Sequence, residues 1–104
     1  MSALIFNPIS QVYPMKIANW LSKGAKNVPG SIQQPCGKLG FAYIQPDRFP
    51  GVRFHFTYPP DWTNNQRHAC QQTTLVEFDF PPQDYDPRYN PYATNVRLLG
   101  RRVA

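Results

Sequence analysis

Proline stands at twelve of the 104 positions, and nothing else in the sequence limits the fold as strongly. Its ring fixes φ and removes a backbone donor, so regular elements are interrupted and long helices are disfavoured. Yet 14% of the residues are aromatic and only 16% are charged. Disordered chains are poor in aromatic residues, so a packed domain is implied. The length suits one core with extensions and is too short for two. Short strands joined by loops, with irregular ends, meet both conditions.

Met1 to Gly30 reads as an extension. Pro8 and Pro14 interrupt its first part. Between Met15 and Leu21, the apolar residues Ile17, Trp20 and Leu21 fall at i, i+3 and i+4, one face of a short helix. Ser22, Lys23 and Gly24 end it, and Val28, Pro29 and Gly30 form a turn-like hinge. So short a helix needs a surface to dock on, either its own domain or a partner. Gly30 to Pro35 is a weak first strand. Gly40 to Ile44 is a stronger one, with Phe41 and Tyr43 on one side and Ala42 and Ile44 on the other. Gln45 to Gly51 is a connector of turn residues. Gly51 to Thr57 alternates again, with Val52, Phe54 and Phe56 opposite Arg53, His55 and Thr57.

Tyr58 to Gln72 reads as a long polar loop. In the strand Thr73 to Phe80, Val76, Phe78 and Phe80 oppose Glu77 and Asp79. Pro81 to Pro91 is a second irregular loop. Tyr92 to Leu99 is the last strand, with Val96 and Leu98 inward and Asn95 and Arg97 outward. Five short strands in about seventy residues predict an all-β barrel or sandwich.

Eleven Lys and Arg against six Asp and Glu give a net charge of +5. No acid precedes Asp47, whereas Lys16, Lys23, Lys26 and Lys38 do, and the chain closes on Arg97, Arg101 and Arg102. Such a balance favours an anionic partner, nucleic acid being the commonest, though a basic protein without a polyanion partner has the same net charge. Cys36 and Cys70 allow one bridge, which is not a disulfide framework, and free thiols of a reducing compartment are expected. No apolar run approaches the roughly twenty residues of a membrane span, and no membrane partner is expected. A secretory signal is not expected either. The acid-poor N-terminal stretch fits cytoplasm or an organelle such as the mitochondrion, although transit peptides favour Arg, which is absent there.

Phe41 and Tyr43 on one strand, and Arg53 and His55 on the next, occupy outward positions. A β-face carrying flat rings and a guanidinium is a stacking platform for unpaired bases. Arg53 adds cation–π or planar stacking. Lys38, Arg97, Arg101 and Arg102 are candidates for phosphate pairing, which makes binding salt-dependent. The plainer alternative is that Phe41 and Tyr43 fill a core or pack under the N-terminal extension.

Other chemistry finds little support. Cys36, His55, His68 and Cys70 are zinc-ligand types, but their spacing is not that of a zinc site, and no metal is expected. Glu77 with Asp79, or Asp84 with Asp86, pair carboxylates without a nucleophile or acid partner; a solvated face accounts for them. No phosphate loop, nucleophile elbow or metalloprotease helix occurs, so neither enzymatic activity nor a cofactor is expected. Trp62, Tyr85, Tyr89 and Tyr92 lie in the proline-rich loops, where they either pack over the end of the domain or face a protein or RNA partner.

Gly40-Phe41-Ala42-Tyr43-Ile44 resembles the Gly-Phe-Gly-Phe-Ile core of the first ribonucleoprotein motif of cold-shock and Y-box domains, with Lys38 near that motif's lysine. Val52-Arg53-Phe54-His55-Phe56-Thr57 resembles the second motif, Val-Phe-Val-His-Phe-Ser. Val76-Glu77-Phe78-Asp79-Phe80 is similar to the fourth strand of the family, and Ala93-Thr94-Asn95-Val96-Arg97-Leu98 to its closing segment. The resemblance spans Ser31 to Leu99. It implies a five-stranded OB-fold barrel at residues 31–100; the residues themselves add an irregular extension at 1–30 able to hold one short helix, long proline-rich loops that depart from the family, and a basic tail at 101–104. It places Phe41, Tyr43, His55 and Phe56 at base-stacking positions, with Arg53 replacing an aromatic. The family's first-strand Lys-Trp-Phe-Asn is replaced by Gln33, Gln34, Pro35 and Cys36, and Ala42 replaces a glycine. The expected partner is single-stranded nucleic acid, RNA ahead of single-stranded DNA. The alternative is a structural subunit of a large ribonucleoprotein or other multiprotein assembly, held through its extensions and loops.

Overall fold

The computed structural model describes the backbone of residues 8–101 and the side chains of residues 14–100. The elements run α1 (Pro8–Lys23), β1 (Ala25–Cys36), β2 (Phe41–Pro46), β3 (Phe54–Thr57), α2 (Asn64–Ala69), β4 (Thr74–Phe80) and β5 (Thr94–Arg101). The fold is mostly β. One sheet has the order β3-β2-β1-β4-β5, and every neighbouring pair is antiparallel. β4 thus returns to lie beside β1 on the side away from β2, which is a Greek key. The sheet curls strongly into a half-barrel. Its two edges meet at one place. His55 N–H donates to the Pro91 carbonyl at 2.9 Å, and Ala93 N–H donates to the His55 carbonyl at 2.9 Å. These bonds make a parallel bridge between His55 and Tyr92.

The strands expected from alternation are present, but the N-terminal third is organised differently. α1 begins at Pro8 and contains Pro14, where a break was expected. Proline at the head of a helix loses no bond, and Pro14 removes only one donor. β1 begins at Ala25, so residues 25–30 belong to the sheet and not to an extension. Its two prolines are tolerated because each has a ladder partner on one side only. Pro29 pairs with Glu77 just before the β1–β2 register begins at Gly30, and Pro35 pairs with Ala42 beyond the last β4 partner, Ser31. The expected hinge at Gly30 is instead a close crossing. A Cβ there would lie 2.7 Å from the Gln45 carbonyl oxygen and 3.0 Å from Ile44 Cγ2. Only glycine lets β1 pass this near β2, and bulges at Ala25/Val28 and Ile32/Gln34 add further bend.

The polar loop after β3 holds α2, started by a capping box in which the Thr63 side chain accepts from Gln66 N–H and the Gln66 side chain accepts from Thr63 N–H. The inward faces of the strands supply Ile32, Ala42, Ile44, Phe54, Phe56, Val76, Phe78 and Val96 to one core. Each end of the curl is plugged by a tryptophan. From α1, Ile17 and Leu21 are buried, and Trp20 packs on Phe49, Phe54 and Phe80 with ring centroids 4.9, 5.7 and 4.9 Å away. At the other end Trp62 lies 5.8 Å from Phe56 and 5.2 Å from Tyr58. The helix face expected at Ile17, Trp20 and Leu21 therefore docks on its own domain.

A polar clamp ties β1, β4 and β5 together on the outside. Asp79 accepts from Asn27 N–H at 2.9 Å, Asn95 Nδ2 at 3.0 Å and Arg97 Nη1 at 3.4 Å, while Arg97 Nη2 donates to Asn27 Oδ1 at 2.8 Å. Asn27 and Asn95 have φ of 56° and 50°, a conformation that asparagine accepts more readily than most residues. These hydrogen bonds, the Asn27 amide first, hold the Asp79 carboxyl below its ordinary range.

Two outcomes follow. Gly30→Ala should destabilise the domain by about 1–3 kcal/mol, read from urea unfolding, because β2 must move to admit the methyl group. Asp79→Asn should cost about 2 kcal/mol at neutral pH. A carboxyl with a lowered folded pKa stabilises above its unfolded pKa and loses that effect as pH falls through the folded value. The gap between wild type and Asp79→Asn should therefore shrink below about pH 4.

Candidate functional site

The antiparallel register of β2 and β3 pairs Phe41 with Thr57 and Tyr43 with His55. In a pleated sheet these residues share one face, opposite the buried Ala42, Ile44, Phe54 and Phe56. Phe41, Tyr43, Arg53 and His55 are all half-buried and open outward. The structure thus brings together the four outward residues expected from alternation, and it excludes the reading in which Phe41 and Tyr43 fill the core.

The face is an ordered row. Phe41 and Tyr43 meet edge to face at 5.7 Å. The Arg53 guanidinium lies over Tyr43, its Cζ 4.0 Å from the ring centroid, and its Nη2 donates to Gln34 Oε1. Arg53 Nε is buried without a hydrogen-bond partner, so the guanidinium is held chiefly by the ring beneath it and by Gln34. On the far side His55 meets Tyr92 at 5.5 Å. Tyr92 is 45% exposed, which makes it the most open ring of the row. The sequence places it at the start of the last strand and among the loop aromatics that pack over the domain or face a protein or RNA partner, with no link to His55. Its place beside His55 comes from the parallel bridge, a contact between residues far apart in sequence that carries no local signal.

Other candidates lie elsewhere. Phe56 is 2% exposed and belongs to the core. It alternates with His55 and so faces the opposite way, which corrects its expected place among the stacking residues. Arg97, expected to pair with phosphate, is engaged by Asp79 at 3.4 Å, Glu77 at 3.6 Å and the Asn95 carbonyl at 2.7 Å. It sits on β5, away from the row. Lys38 is exposed in the β1–β2 turn, at the Phe41 end of the row. The side chain of Arg101 and the whole of Arg102 lie outside the described residues. Of the loop aromatics, Trp62 packs over the end of the core, Tyr85 packs partly against it, and Tyr89 is exposed.

The electrostatic setting is one-sided. β1, β2 and β3 contain no Asp or Glu, and the acids Glu77 and Asp79 are gathered on β4 under Arg97. Among the described residues no three of His, Cys, Asp and Glu form a group that could hold a metal ion. Burial raises the Cys70 thiol and the Tyr58 phenol above their ordinary values, so both remain protonated near neutrality. Cys36 and Cys70 are free thiols. Among the described residues no helix is long and apolar enough to cross a membrane. No family model matches the chain, and no curated protein or solved structure matches it either.

The Arg53–Tyr43 stack is testable by itself. A double-mutant cycle of Arg53→Ala and Tyr43→Ala, read by urea unfolding, should give a coupling of about 0.5–1 kcal/mol. Additive effects would mean that the two groups do not hold each other in place.

Proposed function

We propose that this chain is a non-enzymatic barrel of the OB type that binds single-stranded nucleic acid, RNA ahead of single-stranded DNA, across the outward face of β2 and β3. The observation that carries this reading is the row Phe41, Tyr43 under Arg53, His55 and Tyr92. Flat groups in sequence along one face suit successive unpaired bases, and each base stacked on an aromatic ring contributes roughly 1–3 kcal/mol. A five-stranded, partly open Greek-key barrel used on its strand 2–3 face is the OB arrangement. The Greek-key order and the His55–Tyr92 bridge support that assignment, as do the cold-shock-like motifs on β2 and β3. The absence of acids within the strands β1, β2 and β3, with Lys38 exposed in the turn before Phe41, suits an anionic strand.

A second reading, a structural subunit of a ribonucleoprotein or other assembly, draws on one feature. An open, largely apolar groove of about 570 Å³ runs between α2 and β5, lined by Trp62, Ala69, Val96, Leu98 and Leu99 among others. Leu99 is 58% exposed. A groove of this kind suits a protein surface, and the two readings are compatible.

The test is Phe41→Ala with His55→Ala in a chain shown to be folded by circular dichroism. Affinity for a labelled single-stranded RNA should fall on the order of 100-fold, and wild-type affinity should weaken steeply as salt is raised. Binding that survives the double substitution unchanged refutes the platform.

A further inference from the structure

The stacking row does not end at Arg53. Beyond it lies an open pocket of about 430 Å³ lined by Gln33, Gln34, Pro35, Pro50, Gly51, Val52, Arg53 and Gln72. Three parts of the chain build it. The β1 bulge between Ile32 and Gln34 turns the two glutamines of β1 outward, the end of the β2–β3 connector supplies Pro50 to Arg53, and Gln72 approaches from just before β4. Gln34 is the register partner of Tyr43 and accepts from Arg53, so the pocket and the row share a wall.

The chemistry of the lining is narrow. It has three primary amides and one guanidinium, and no carboxylate, hydroxyl or thiol side chain. Each amide offers a donor and an acceptor side by side. That pair matches the N6 amino group and adjacent ring nitrogen of adenine, the contact that glutamine makes to this base. Arginine's counterpart, the bidentate contact to guanine, is compromised here. Arg53 lies over Tyr43 and gives an Nη2 proton to Gln34, and its Nε is buried.

We propose that this pocket is a specificity site for one adenine base, placed next to the stacking row. The assignment rests on the strand-binding reading above and deepens it. Bases on the row stack without regard to identity, because every base has a flat face. The base that passes Arg53 presents its edge to Gln33, Gln34 and Gln72 and is read by hydrogen bonds, as unstacked bases of single-stranded RNA are.

The experiment uses the full chain and fluorescence anisotropy. One probe is an octamer of uridine; the others are the same octamer with a single adenosine at each position in turn, and matched octamers with a single guanosine or cytidine. Adenosine at one position should tighten binding about tenfold over uridine, with guanosine and cytidine giving less. Gln33→Ala with Gln72→Ala should abolish that preference and leave affinity for the uridine octamer unchanged, since neither residue is a member of the stacking row. The inference is overturned if the uridine octamer binds through Phe41 and His55 but no position prefers adenosine, or if the preference survives the double substitution. The strand-binding reading fails separately, and takes this proposal with it, if no octamer binds. Free adenosine monophosphate is the final arm. Saturable binding of it that is lost in the glutamine variant, without octamer binding, would assign the pocket to a mononucleotide and overturn its role in reading a strand.

Discussion

The passage of β1 past Gly30 governs the rest of the structure. β1 is the only strand with β2 on one side and β4 on the other, and the sheet curls because β1 bends between them. Gln45 and Ile44 press against the position where any other residue would carry its Cβ. Two bulges and two one-sided prolines bend the strand further without leaving donors missing between two full ladders. Curling brings the segment before β5 back to β3, and the bridge at His55 and Tyr92 depends on that return.

This geometry divides the aromatic residues by the face they occupy. Those facing inward, with Trp20 and Trp62 closing the two ends, form a core in which ring meets ring. Those facing outward on β2 and β3 stay half-exposed among the described residues. The described apolar side of α1, through Trp20, packs instead on the end of the curled sheet at Phe49, Phe54 and Phe80. The charges are sorted in the same way. Asp79 and Glu77 hold Arg97, whereas Arg53 lies over Tyr43 on the ring-bearing face and Lys38 is exposed in the turn before Phe41.

Much of this could be read from alternation. Ala42, Ile44, Phe54, Phe56, Val76, Phe78 and Phe80 declare their inward face because burial on one side of a pleat demands period two. The outward placement of Phe41, Tyr43, Arg53 and His55 follows from the same rule. Phe56 shows the hazard of borrowing a role from a motif. Its phase with Phe54 already put it inside, although the resemblance placed it on the surface. Thr63-x-x-Gln66 was a legible helix start that the polar loop around it obscured. Pro29 and Gly30 misled because such residues mark turns in most chains, whereas here the pair sits where a strand has one incomplete ladder and one very close neighbour.

The sequence by itself determined which face of each strand is apolar, which helix face must dock, and that acids are missing from the first three strands, because these depend on residue type and local period alone. Only the tertiary structure decided that Tyr92 joins His55, that Arg97 is claimed by Asp79 and Glu77, and that Gln33, Gln34 and Gln72 share one pocket with Arg53. Those are meetings between residues distant along the chain. They arise from the bend of β1 and the near-closure of the sheet, which no local pattern encodes.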